Sequence, residues 1–145
     1  MAHIKNLKFL KNHKDLVDEN YGMVAVPTFS DKMDKDLAKL FKSQNKKGKV
    51  GELVFEIDNN SRIVYYGLGS SSEKTPENFR RAAGEVVGYA LKHKYSDIAV
   101  ECPVSNEGDY FCQAFAEGLI LSSYRFLDYF TDKRGKYHLK SITMV

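Results

Sequence analysis

The chain has little of what marks secreted, membrane-spanning or metal-clustered proteins. Only two cysteines, Cys102 and Cys112, occur in 145 residues. That is too few for the disulfide framework of a small secreted domain, so a reducing cytoplasm is the expected compartment. No apolar run approaches the roughly 20 residues that a membrane-spanning helix needs, and mean hydropathy is -0.43. The amino terminus, MAHIKNLKFLKNHKD, is polar and lysine-rich and lacks the apolar core of a signal peptide. Internal repeats, low-complexity tracts and linkers are absent. A large excess of one charge is lacking too. The 22 Lys and Arg against 19 Asp and Glu leave +3, too little to demand a nucleic-acid partner.

Catalytic and metal-binding motifs are missing as well. His3, His13, His93 and His138 stand alone, with no HExxH and no His/Cys pair at ligand spacing. Cys102 and Cys112 lie ten positions apart, far from CxxC. Asp31, Asp34 and Asp36 form a short acidic cluster, but at a helix start such a cluster compensates the helix dipole. No G-x-S-x-G occurs, and no serine has a supporting His and Asp. Glu101 and Glu117 lie beside apolar residues, yet a surface or ion-paired carboxylate is the commoner outcome there. No catalytic, metal or cofactor residue is therefore assigned.

What is present suits one globular α/β domain over residues 1–145. The 43% hydrophobic fraction, about 62 residues, is enough to bury a core at this length. Leu7–Leu10 and the apolar run Met23–Val26, closed by Pro27, read as strands. Ser30 or Asp31 can cap a following helix. Ser43–Gly51 is a polar, glycine-punctuated loop, and Glu52–Ile57 and Arg62–Tyr66 flank the turn Asp58–Asn60 as a hairpin. Thr75, Pro76 and Glu77 supply a cap, a first-position proline and a first-turn acid, three agreeing signals for a helix reaching about His93. Ile98–Cys102 is a strand stopped by Pro103, Asn106 or its neighbours open a third helix, and Tyr137–Val145 closes as a strand. Helices alternating with short apolar strands predict a mixed, largely parallel sheet with helices on both faces. Ending on a strand with no polar tail suggests that the chain stops at a domain edge.

Two features invite a ligand. Residues 1–49 carry 11 basic and 6 acidic side chains, and Lys32, Lys35, Lys39, Lys42 and Lys46 are spaced 3, 4, 3 and 4. At ~100° per residue they form one helical stripe, opposite Met33, Leu37, Leu40 and Phe41. The stripe could track phosphates of DNA, but no arginine or aromatic interleaves to read or stack on bases, so a solvated helix face is the plainer reading. The second feature is Gly67-Leu68-Gly69-Ser70-Ser71-Ser72, a glycine loop between a strand and a helix. It could offer N–H groups to a phosphate. It matches neither G-x-G-x-x-G nor a Walker loop, and Glu77 would repel an anion, so a structural turn is the better reading.

Three segments carry a family resemblance. Ile63–Ala83, IVYYGLGSSSEKTPENFRRAA, resembles the GLG and Pro-Glu…Arg…Ala stretch of the leucyl aminopeptidases. Glu117–Lys133, EGLILSSYRFLDYFTDK, is similar to their Glu-Gly…Tyr-Arg-Phe-Asp segment, with Leu127 inserted before Asp128. Leu139–Val145, LKSITMV, resembles the strand before their interdomain linker. The resemblance covers only the family's N-terminal domain and implies a macro-domain-like fold. It places the two divalent metals (zinc, manganese or magnesium), their ligands and the Asn-Thr-Asp-Ala-Glu-Gly-Arg signature in a C-terminal catalytic domain that these residues do not contain. The implied role is accessory: assembly of a hexamer with like subunits, and access to the active site, in a cytoplasmic enzyme that takes peptides through its catalytic domain. The alternative is a free-standing macro-like module holding ADP-ribose by Gly67–Ser72, or nucleic acid by the Lys32–Lys46 face. Against ADP-ribose stand the lack of an asparagine-rich segment near the first strands and of a second glycine loop.

Overall fold

The computed structural model of the chain describes residues 6–9, 22–58, 61–102, 110–134, 139 and 141–144. They form six strands, β1 (Asn6–Phe9), β2 (Met23–Thr28), β3 (Leu53–Asp58), β4 (Ser61–Gly67), β5 (Asp97–Val100) and β6 (Ser141–Met144). Three helices intervene: α1 (Lys35–Ser43), α2 (Pro76–Lys92) and α3 (Tyr110–Arg134). All strands join one sheet in the order β1-β6-β5-β2-β4-β3, parallel throughout except for the β3–β4 hairpin. The expected element order and the mixed, largely parallel sheet are both present. The expected helix start at Asn106 and most of the hairpin turn lie outside the described residues.

The central strands β2 and β5 are continuously apolar where they are buried on both faces and need no polar alternation. Met23, Val24 and Ala25 of β2 and Ile98, Ala99 and Val100 of β5 are all inaccessible to solvent. Alternation in β4 separates the two faces. The Tyr66 ring stacks on Phe115 of α3 at 4.9 Å, whereas Tyr65 meets Phe41 of α1 at 6.5 Å. Successive side chains of a strand point to opposite faces, so α1 covers one face and the α2–α3 pair the other. The core on the α2–α3 side gathers Phe79, Val86 and Val87 of α2 with Phe111, Phe115 and Leu119 of α3. Each such side chain contributes about 1.5–3 kcal/mol when fully buried.

Pro27 does not close β2, contrary to expectation; the strand runs through it to Thr28. The carbonyls of Gly22 and Thr28 accept from Arg62 and Leu68 on the β4 side, while that of Ala25 accepts from Glu101 on the β5 side. Pro27 shares the parity of Ala25, but the β5 ladder ends at the Ala25–Val100 pair. Its missing N–H therefore points past the end of the neighbouring strand and costs no ladder bond.

The cap of α1 also differs. Neither Ser30 nor Asp31 caps it; the Asp34 carboxylate does, accepting from Leu37 N at 2.8 Å. For α2 the expectation holds: Thr75 is the cap, its hydroxyl accepts from Asn78 N, Pro76 opens the helix and His93 closes it. The two long helices cross closely because Gly118 offers no side chain. A β-carbon there would lie 2.9 Å from that of Ala83 and from the Arg80 backbone.

Candidate functional site

In a parallel sheet, ligands favour the carboxyl ends of the strands, at the point where successive connections leave in opposite directions. Here the connection from β2 leads toward β4 and β3, and that from β5 leads toward β6. The switch point thus lies between β2 and β5, at Thr28, Phe29, Glu101 and Cys102. Among the described residues, this crevice is filled from within. The Phe29 ring lies 6.4 Å from Phe79, which lies 4.9 Å from Phe111. The Lys74 ammonium sits over Phe29 at 5.9 Å and Phe111 at 5.7 Å. The Tyr66 hydroxyl donates to the Glu101 carbonyl, and full burial, then the Glu101 charge, pushes that phenol well above its ordinary range.

Beside the aromatic cluster, Cys102 and Cys112 are joined in a disulfide, with Cα atoms 5.9 Å apart. Their sequence separation matched no motif. The fold brings them together because β5 ends just before Cys102 while α3, returning over the sheet, begins just before Cys112.

The glycine loop lies at the same end of the sheet, and its backbone donors at Gly67, Leu68, Gly69, Ser71 and Ser72 are occupied. Leu68 N bonds Thr28 O, Gly69 N bonds Gly48 O and Glu73 N bonds Ser70 O. Ser71 N and its hydroxyl donate to the two Asp31 oxygens at 2.9 and 2.6 Å, and Ser72 N approaches the Ser70 hydroxyl at 3.3 Å. Asp31 thus occupies the place a phosphate would take. The Ser71 hydroxyl and then its N–H hold the Asp31 carboxyl below its ordinary value. The next loop repeats this pattern. Glu52 Oε1 accepts from Lys47, Gly48 and Lys49 N at 3.0, 2.9 and 2.8 Å. Burial alone would raise the Glu52 pKa, but these three donors and the Lys46 charge lower it. Gly67 permits the junction, since a β-carbon there would lie 2.2 Å from Lys49 O.

The lysine stripe is shorter than its spacing implied. Lys32, Lys35, Lys39, Lys42 and Lys46 are all exposed, but only Lys35, Lys39 and Lys42 stand on α1. Lys32 precedes the Asp34 cap, and Lys46 follows Asn45, whose φ of 57° takes the chain out of the helix. Phe41 is buried on the opposite side and Met33, Leu37 and Leu40 are half-buried, as the amphipathic pattern requires.

Of the two flagged carboxylates, Glu117 is ion-paired with Arg80 at 3.3 Å and accepts from Gln113 at 3.2 Å. It borders an open groove of about 400 Å³ between α2 and α3, lined by Arg80, Arg81, Glu85, Gly118, Leu121 and Ser122. Sequence reasoning missed the Arg62 cluster at the opposite end of the sheet. There the guanidinium donates to the Tyr89 hydroxyl at 2.9 Å and lies 5.0 Å over Phe55, and the Tyr89 ring lies 4.3 Å from that of His93, tilted by 36°. The spacing of Tyr89 and His93 on α2 was the only available signal. Among the described residues no three His, Cys, Asp or Glu side chains gather as a metal site, and no helix is long and apolar enough to cross a membrane.

Comparison with known proteins gives these features a setting. Residues 16–133 match the family model for the N-terminal domain of the cytosol aminopeptidase family. A probable cytosol aminopeptidase of Clostridium perfringens is 35% identical over 102 residues, 66% of this chain. The chain spans about a fifth of the curated relatives it matches, 20% of that protein and 21% of a Clostridium tetani counterpart. Among solved structures, a tomato leucine aminopeptidase variant superposes with a TM-score of 0.74 at 16% identity, over 99% of this chain and 34% of that one. The macrodomain of Thermus aquaticus DarG gives a TM-score of 0.63 at 10% identity, over 97% and 98% of the two chains. At those identities the likeness is one of fold, and it bears out the macro-domain-like architecture.

Proposed function

The chain belongs to the cytosol aminopeptidase family, as its N-terminal domain, and from that premise we propose that it is the accessory part of a metal-dependent leucyl aminopeptidase. Hydrolysis would reside in a C-terminal catalytic domain carrying two divalent metals, zinc, manganese or magnesium, which activate water. The family resemblance carries no metal ligand onto these residues, so the hydrolytic step is proposed for the catalytic domain. Its part is to join the catalytic domain, to assemble like subunits into a hexamer and to shape access to the active site. The cytoplasm is proposed from the names of its relatives, against the Cys102–Cys112 disulfide, which a reducing compartment disfavours.

The observation that carries this reading is the family match over residues 16–133. The filled switch-point crevice supports it. A module that held ADP-ribose would need free donors and space at the carboxyl ends of β2, β4 and β5. Here Asp31, Thr28 and Gly48 occupy the donors of the glycine loop, and Phe29, Phe79 and Phe111 occupy the space. Nucleic-acid binding is not favoured either, since the helical stripe holds only three lysines.

The test is an immunoblot of the source cells with an antibody to this domain, followed by an activity assay on the captured polypeptide. A band several-fold larger than 16.5 kDa that hydrolyses Leu-p-nitroanilide with Mn²⁺ or Zn²⁺ is expected, with no turnover by the 145-residue chain alone. A native band at 16.5 kDa, or metal-dependent turnover by the short chain, would refute the proposal.

A further inference from the structure

Among the described residues, strand β3 is one edge of the sheet, paired only with β4. In an antiparallel pair, alternate residues turn their N–H and C=O groups inward and outward. Gly67 N bonds Glu52 O, so the even-numbered residues face β4, and Leu53, Phe55 and Ile57 face outward. An outward-facing edge of this kind is a template for pairing with another chain. It is also apolar: Phe55 is 43% and Ile57 70% exposed.

One side chain covers the middle of this edge. The Gln44 amide, just past the end of α1, donates from Nε2 to Phe55 O at 2.8 Å and accepts at Oε1 from Phe55 N at 3.3 Å. It thereby supplies both bonds that a neighbouring strand would make to Phe55. We infer that Gln44 is a lock on the β3 edge, and that without it a second copy of this chain pairs with β3 antiparallel, about a two-fold axis at Phe55.

The sequence of β3 fits a second copy. In the register centred on Phe55, Leu53 lies opposite Ile57 of the other copy and Phe55 opposite Phe55. All three outward residues then exchange backbone hydrogen bonds, and their side chains form one apolar ladder on a single face. On the other face Val54 meets Glu56, so like charges oppose each other only at the ends of the strand, where Glu52 meets Asp58. The two bonds that Gln44 makes hold this register closed at its centre.

The inference is tested on the 145-residue chain by light-scattering mass across micromolar to millimolar concentration, with amide exchange read by NMR. In the wild type, the Phe55 amide exchanges about fivefold more slowly than those of Leu53 and Ile57, as one exposed hydrogen bond predicts. Gln44→Ala doubles the wild-type mass as concentration rises, and adding Ile57→Lys to Gln44→Ala returns it to the wild-type value. Equal exchange at the three amides overturns the lock, and does so even if Gln44→Ala fails to fold. A folded Gln44→Ala with unchanged mass, or a doubled mass that survives Ile57→Lys, overturns the pairing. A wild type whose mass falls on Ile57→Lys alone overturns the lock as well, because its edge would already be paired.

Discussion

Individual side chains occupy most of the loop donors at the carboxyl end of the sheet. Asp31 takes donors of Ser71 and ties two loops at the carboxyl end of the sheet together, while Glu52 takes three N–H groups of its own loop, Lys47–Lys49. Thr28, at the same end, is the exception. Its hydroxyl is the one buried side-chain oxygen without a partner among the described residues, and the residue is 4% exposed. Burying a hydroxyl with no hydrogen bond costs about 1–3 kcal/mol, and valine has nearly the same shape without it. Thr28→Val is therefore expected to stabilise the fold by about 1 kcal/mol, seen as a thermal midpoint higher by about 4 °C. A lower midpoint would mean that the hydroxyl finds a partner in solution. None of this was legible in the sequence, because partners 40 positions apart, such as Asp31 and Ser71, are brought together only by the return of the chain to the sheet edge.

Elements were read best where their ends carry chemistry of their own. The boundaries of α2 follow from Thr75, Pro76 and Glu77, because a cap is a local hydrogen bond and needs no tertiary partner. The lysine period was misleading over Lys32–Lys46 because a solvent-facing stripe is not itself a reason for helix. The helix lasts only from the Asp34 cap to Gln44, where the chain turns back along β3. The α2–α3 contact was hidden for another reason: a glycine in mid-helix reads as a weak point. Gly118 is instead the point of closest approach. Gly118→Ala would gain up to about 1 kcal/mol of helix propensity but lose about 1–3 kcal/mol to overpacking against Ala83 and the Arg80 backbone. Net destabilisation is expected, as a lower urea midpoint with an unchanged m-value. A higher midpoint would show that the helices separate at no cost.

At the scale of the whole molecule, stability should fall on acidification in two steps. Desolvation, then the charges of Arg62 and Lys92, hold His93 below its ordinary 6.5. The unfolded chain therefore takes up that proton more readily than the folded one, and stability is lost as pH drops below about 6.5. The carboxyls of Asp31 and Glu52 are also depressed, from ordinary values of 3.8 and 4.5. Their contribution is complete above those values and is lost below them. Urea midpoints at decreasing pH should show both losses. His93→Gln should remove part of the first and Glu52→Gln part of the second. A midpoint that rises between neutral pH and pH 5, or that keeps its full pH dependence in both variants, would contradict this assignment.

The sequence by itself determined the element order, the α/β class with its largely parallel sheet, the ends of α2 and the family. Those follow from periodicity, caps and segment motifs, which act over a few residues. It also led to reading the glycine loop as structure, from Glu77 and the missing third glycine, which are local facts. Only the tertiary structure decided what fills the β2–β5 crevice, which donors Asp31 takes, that Cys102 meets Cys112 and that Gln44 covers Phe55. Each of these is a contact between segments separated by loops or whole elements. Its existence depends on strand order and on the close crossing of two helices, and no local propensity encodes either.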